Sequence, residues 1–163
     1  VKFVFINGPA RQGLPDFFRN VEGIEHHAIW EPILKYPKLL ADMDFDIMIS
    51  PLIDSAFNRG KSNLKWLEAS ALGIPCVASN VGHYAQTIIG GKDGLLADDE
   101  RMFEVYLDKL ITDRKYRKSM GLAANVRVRR DFNVDNVLLD YIGSLNAAIE
   151  MKAKAEKPAE VVQ

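Results

Sequence analysis

The amino-acid sequence predicts an α/β fold: a Rossmann-like, doubly wound parallel sheet with helices on both faces and extra helices at the C-terminal end. Three observations carry this. Five short apolar runs of the buried-strand type recur through residues 2–97. Helical patterns separate these runs, the spacing expected of crossover connections between parallel strands. After Asp98 the pattern becomes helix only.

Taken in order, KFVFI (2–6), IEHHAI (24–29), DIMIS (46–50), PCVAS (75–79) and GLLA (94–97) are the expected strands. Between them, LPDFFRNV, PKLLADM and NLKWLEASAL read as helices, the last with Leu64, Leu67, Ala71 and Leu72 on one stripe toward the core. MFEVYLDKLI, RKYRKSMGLAANVRVRR and VDNVLLDYIGSLNAAIEMK follow as helices packed over the sheet, with DDE and NVD supplying polar residues at helix starts. One domain is expected over residues 1–150, with a frayed polar tail over 151–163. The chain opens inside an apolar strand-like run without a methionine, so an N-terminally truncated piece of a longer polypeptide is expected.

The 163 residues, 48% hydrophobic and 26% charged, suit a globular domain with a buried core. With 21 basic against 22 acidic residues, no overall field draws the chain to nucleic acid or to an anionic membrane. No apolar stretch reaches the length of a membrane span, and no signal peptide is recognisable at the start. The one cysteine, Cys76, sits in an apolar run and fits a reducing, cytoplasmic setting as inert packing. His26 and His27 alternate along a strand without partners at ligand spacing, so no metal site is expected.

The stretch SAFNRGKSNLKWLE (55–68) carries the chemistry. Its GKS resembles the end of a triphosphate-binding loop, in which glycine amides wrap a phosphate and a lysine reaches the outer oxygens. Ser55 occupies the place of the first glycine, Phe57 is unsuited to lie against phosphate, and no later strand ends in a clear magnesium-binding aspartate. What survives is a strand, a loop and a helix start near Ser62, which set free amides at the carboxyl edge of a parallel sheet. Ser62 suits an N-cap there, and Lys61 and Arg59 add positive charge. The residues alone leave two readings open: a phosphorylated ligand at this edge, or a capped helix with two solvated cations.

The run KSNLKWLEASALGIPCVASNVGHYAQTIIGGKDGLLADDE resembles the nucleotide-sugar donor-binding half of GT-B glycosyltransferases, particularly the large retaining group. LKWLEASALGIPCVAS matches the glutamate-bearing helix and the G-x-P strand of that group. NVGHYAQTI matches its glycine turn and helix, and GGKDGLLADD its G-x-x-G-hydrophobic continuation. Upstream, VKFVFINGPARQG and YPKLLADMDFDIMISPL resemble the preceding elements, so the resemblance covers about residues 1–135.

The resemblance implies a glycosyltransferase that needs no cofactor besides its nucleotide-diphosphate sugar, and a retained anomeric configuration. Glu68 matches the glutamate that accepts hydrogen bonds from the ribose hydroxyls, a task suited to a carboxylate that can accept from two vicinal hydroxyls. Asn63 and Leu64 match residues whose amides face the diphosphate. Gly60 stands where the family has a sugar-contacting glutamate, eight positions before Glu68, and Gln86 stands where relatives often have glutamate. Lys61 addresses the diphosphate or a sugar hydroxyl in a sub-branch with a lysine in this loop. Trp30 falls on a loop near the base, where stacking and ordinary packing are equally open. His83 follows Gly82 in the loop lining the cleft; contact with the sugar or diphosphate and plain exposure both stand.

The family's diphosphate-neutralising arginine and lysine lie on a strand and loop earlier than Val1. A partner domain of the same polypeptide, binding the acceptor, is therefore expected, with this portion alone close to inactive. The usual setting of the group is surface-polysaccharide or protein glycosylation. Two rivals remain: a non-catalytic nucleotide-binding or scaffolding module, favoured by Gly60, and a P-loop hydrolase, opposed by Ser55. Magnesium-dependent ATP binding without nucleotide-sugar binding would point to the hydrolase.

Overall fold

In the computed structural model, residues 1–7, 21–28, 32 and 34–155 are described. The chain forms two compact units, Val1–Asp44 and Phe45–Gln163. The helix expected at residues 14–21 lies, but for Val21, outside the described residues, as do Trp30 and residues 156–163.

In the first unit, β1 (Phe3–Asn7) and β2 (Ile24–Ala28) run parallel, with Phe3 opposite Ile24 and Asn7 opposite Ala28. Across the pair, Lys2 Nζ lies 2.6 Å from Glu25 Oε1, which holds the Glu25 carboxyl below its ordinary range. Helix α1 (Tyr36–Asp42) starts with proline in its first turn, buries Leu40 and closes an i,i+4 pair between Lys38 and Asp42 at 2.7 Å.

The second unit is built on β3 (Met48–Ser50), β4 (Cys76–Ser79) and β5 (Leu95–Ala97), all parallel in that order. The elements follow the predicted alternation: α2 (Ala56–Arg59) and α3 (Leu64–Ala71) before β4, then α4 (Gly82–Thr87) before β5. Helices α5 (Glu100–Thr112), α6 (Arg114–Asp131) and α7 (Val134–Ala155) complete it. The described strands therefore form a pair and a triple, where the sequence suggested one continuous sheet.

Period-two alternation along the fully buried β4 divides the interior. Cys76 and Ala78 join Trp66, Ala69, Tyr84 and Ile88 in one cluster, while Val77 joins Leu95, Leu110 and Met120 in another. Helix α6 serves both, with Met120 in one and Val128 in the other.

The stripe by which α3 meets the core differs from the one expected in all but Leu67, which packs against the first cluster. Trp66, Ala69 and Ser70 are buried, whereas Leu64 and Leu72 are 55% and 37% exposed and Ala71 is also exposed. The reason is a partner that hydropathy does not show. The Trp66 indole Nε1 donates to the Asp93 carbonyl at 2.9 Å, and its ring meets Phe132 edge-on at 5.6 Å, so the large ring buries with its polar atom satisfied.

Helix α3 ends in a Schellman arrangement: Gly73 at φ +74 follows the cap, Gly73 N–H donates to Ser70 O and Ile74 N–H to Ala69 O. Asn125 Nδ2 of α6 donates to the last carbonyls, Ser70 O at 2.9 Å and Ala71 O at 2.8 Å. This closeness requires Gly121, because a Cβ there would sit 2.0 Å from Gly73 O.

The capping expectations hold at two helix starts, those of α5 and α7, and α6 has a third cap that was not expected. Asp99 accepts from Met102 N–H, Asp113 from Tyr116 N–H and Asn133 from Asn136 N–H. Helix α7 departs from expectation twice. It runs to Ala155, so residues 151–155 are helical where a frayed tail was expected. It also leaves Leu138, Tyr141, Ile142, Leu145 and Ile149 exposed rather than packed over the sheet, since no described residue covers that face. Among the described residues no helix is long and apolar enough to cross a membrane.

Asp93 is 1% exposed and pairs with Arg127 at 2.5 Å. Arg127→Met should therefore strand a buried carboxylate and lower the unfolding free energy by about 3 kcal/mol in urea denaturation. Adding Asp93→Asn should recover part of that loss.

Candidate functional site

The carboxyl ends of β3, β4 and β5 are knitted together by their own loops. Leu52 N–H donates to Ser79 Oγ at 2.8 Å, Asn80 N–H to Ala97 O at 2.9 Å, and Asn80 Nδ2 to Asp98 Oδ1 at 2.8 Å. Between them lies an open groove of about 860 Å³, lined among others by Leu52, Asp54, Asn80, Asp98, Glu100 and Phe103. This is the edge at which open α/β sheets receive ligands. Asp54 and Asn80 are not among the residues that the sequence points to, and Asp98 enters there only as a weak magnesium candidate at the end of GLLADD, although each follows an apolar run by only a few residues, which is where that rule looks.

Residues 55–60 do not form a phosphate-wrapping loop. Ser55 Oγ accepts from Asn58 N–H at 3.2 Å and caps the short helix α2. Gly60 is the C-cap of that helix at φ −83, a conformation open to any residue. A Cβ on Gly60 would meet only ordinary contact, 3.6 Å from Phe57 O. Serine at position 55 therefore does local work, and glycine at position 60 is not demanded by the backbone.

Helix α3 begins at Leu64, later than expected. Its N-cap position is Asn63 rather than Ser62, because Asn63 O already accepts from Trp66 N–H and Leu67 N–H. Asn63 contributes no side-chain cap, so the first-turn amides without an intrahelical acceptor are not used up by the helix's own cap. Lys61 and Ser62 are exposed beside this start, with Lys61 Nζ 5.0 Å above the Phe57 ring.

Glu68 lies one turn beyond Leu64 on the same helical face. It is half-buried, and burial raises its pKa above the ordinary 4.5 while Lys65 pulls it back. Among the described residues its carboxylate accepts no hydrogen bond. The position suits a carboxylate that waits for a donor.

Arg59 is already engaged. Its Nε and Nη2 meet the Asp54 carboxylate at 2.6 and 2.8 Å, and this pair lowers the pKa of Asp54 and raises that of Arg59. His83 is exposed in the first turn of α4, next to Gly82. Gly82 has φ +56, and a Cβ on it would lie 2.6 Å from Arg59 O, so α2 and α4 touch through bare backbone. The structure thus gathers Arg59, Gly60, Lys61, Ser62, Asn63, Leu64 and Glu68 along α2 and α3, with Gly82 against α2 and His83 next to it in sequence. None of these lines the groove, which adjoins them through Asp54. Trp30 lies outside the described residues, and Gln86 is exposed.

Among the described residues no group of three or more His, Cys, Asp and Glu side chains is placed to hold a metal ion. Cys76 is fully buried, and burial pushes its thiol up to about 12, the state of an inert packing residue.

The family model described as glycosyl transferases group 1 matches residues 1–113. The chain belongs to this family. It is similar to the D-inositol 3-phosphate glycosyltransferase of Stackebrandtia nassauensis, 35% identical over 89 residues that make up 53% of this chain and 20% of that protein.

Among solved structures, sucrose-phosphate synthase from Thermosynechococcus elongatus shares the fold with a TM-score of 0.71 and 19% identity, over 91% of this chain and 38% of that one. HepE of Anabaena, in complex with UDP and glucose, gives 0.64 and 16% over 77% and 32% of the two chains. The C-terminal domain of the group 1 protein LpcC from Francisella tularensis gives 0.56 and 20% over 69% and 55%. The α/β architecture of this family member is therefore that of GT-B glycosyltransferases, of which the chain spans only a part.

The two loop glycines separate structural from chemical demands. Gly82→Ala should lower stability by about 1–3 kcal/mol, because Cβ meets backbone at a positive φ. Gly60→Ala should leave stability unchanged or raised by up to about 1 kcal/mol. Thermal unfolding of the two variants checks the contrast.

Proposed function

We propose that this chain is the donor-binding part of a glycosyltransferase, holding a nucleotide-diphosphate sugar whose glycosyl group passes to an acceptor with retained anomeric configuration. The observation that carries the reading is the start of α3: first-turn amides without a side-chain cap, with the half-buried Glu68, whose carboxylate accepts no hydrogen bond among the described residues, one turn away, in a member of this family. The diphosphate docks against these amides, where the helix dipole favours negative charge, with Lys61 beside it. Ser62, Asn63 and Leu64 contribute by position. Glu68 accepts the vicinal ribose hydroxyls, and His83 meets the sugar or diphosphate from the neighbouring loop.

Catalysis in this reading rests on stabilising the departing diphosphate with fixed amides and cations. The acceptor binds to a part of the protein that corresponds to the relatives' remaining length, so these residues by themselves bind donor without appreciable turnover. HepE, with UDP and glucose bound in the same fold, lends support to a uridine nucleotide as the first ligand to try. A second reading, a nucleotide-binding module without turnover, is favoured by Gly60. The backbone would accept an acid there, so its absence is not a demand of the fold.

Calorimetric titration with UDP, GDP and their sugars tests the reading. One nucleotide diphosphate should bind, and Glu68→Ala should weaken it about tenfold or more, the loss of about two charge-assisted hydrogen bonds. Binding of ATP with magnesium and of no nucleotide sugar would sink it.

The pH dependence has a definite sign. Only the carboxylate can accept both hydroxyls, and burial raises the pKa of Glu68 above 4.5. Affinity should therefore fall on acidification at a higher pH than an ordinary glutamate would give, and Glu68→Gln should flatten that dependence.

A further inference from the structure

The backbone of Arg59 is held in place, while its side chain is exposed and ion-paired. Ser55 caps the helix that carries it, and Gly82 lies against its carbonyl. Its guanidinium meets Asp54 fork to fork, at 2.6 and 2.8 Å, yet the two side chains are 64% and 56% exposed. Exposed ion pairs of this kind are worth little even with good geometry, because water competes for both partners. A diphosphate presents the same paired oxygens as a carboxylate with more negative charge, and arginine recognises both by the same planar fork. Asp54 also lines the groove at the strand ends, so it belongs to Arg59 and to the ligand edge at once.

We propose that Asp54 is a stand-in anion: it holds Arg59 while the site is empty and yields it to the diphosphate when donor docks at the start of α3. This rests on the donor-binding reading above and adds a determinant to it. Asp54 sets the affinity for the diphosphate and leaves recognition of the nucleoside untouched. On exchange its carboxylate is freed toward the groove, where it can accept hydrogen bonds from hydroxyl groups of the glycosyl moiety. Lys61, whose Nζ lies over the Phe57 ring and is in no ion pair among the described residues, needs no such exchange.

The test is calorimetry on the whole chain with UDP, GDP and the corresponding nucleosides, for the natural protein, Asp54→Asn, Arg59→Ala and the double variant. Both side chains are exposed, so the variants keep the fold. Asp54→Asn should tighten the bound diphosphate about threefold to fivefold and leave the nucleoside unchanged. In the Arg59→Ala background the same change should give less than about twofold.

Unchanged or weaker diphosphate binding by Asp54→Asn would mean that Asp54 merely orients Arg59, and would overturn the exchange. An equal gain with and without Arg59 would reduce Asp54 to a repulsive charge and overturn it as well. Should no nucleotide diphosphate bind any of the four proteins, the donor-binding reading itself fails and the exchange goes with it.

Discussion

A single buried carboxylate organises the larger unit. Asp93 Oδ1 accepts from Ile89 N–H at 2.8 Å, Oδ2 meets Arg127, and the Asp93 carbonyl accepts from the Trp66 indole. One residue thus fixes the turn before β5, the middle of α3 and the second half of α6. Burying this charge is costly unless it is paired and hydrogen-bonded, and each of these partners comes from a different element. Arg127 in turn lies over the Trp66 and Phe132 rings at 5.4 and 5.8 Å, which packs its cationic plane against aromatic faces while it serves the carboxylate.

That anchoring decides where the candidate site sits. Held by Trp66 at its centre and by Asn125 at its C-terminus, α3 has its first turn set by the body of the unit. A helix start can serve a diphosphate only if its amides are fixed before the ligand arrives, since preorganisation makes such dipoles worth more than water. Glu68 shares the benefit, riding on the same helix between the buried Trp66 and the buried Ala69. The adjoining cations, Arg59 and Lys61, are exposed by contrast, so the fixed part of the site is backbone and the adjustable part is charge.

Much of this was legible in the sequence, and the exceptions have physical reasons. The strands were readable because parallel strands buried on both faces leave unbroken apolar runs, and the capped helices because Asp99 and Asn133 stand at their starts. The position of Glu68 came from ordered motifs rather than from spacing. Trp66 was passed over because hydropathy ranks the leucines of its helix above an indole, although only the indole had a buried acceptor to reach. Helix α2 was hidden inside an apparent phosphate loop: nothing local reveals that Ser55 turns its hydroxyl to its own backbone. Asp93, read as part of a glycine-rich turn, could not declare a partner 34 residues away. The Asp54–Arg59 pair was likewise invisible, since two opposite charges five residues apart pair only when a short helix brings them together.

The approach of Gly82 to Arg59 has a consequence for how this edge can vary. Where two loops meet through side chains, a change in one is absorbed by a rotamer of the other. Here the contact is main chain against main chain, with no side-chain torsion to yield, and Leu52 N–H, in the loop after β3, also donates to Ser79 Oγ at the end of β4. The segments that follow β3 and β4 are therefore held together as one part. An insertion or deletion in either should disturb the other, whereas exposed side chains such as Phe57 and His83 can be exchanged without touching that contact.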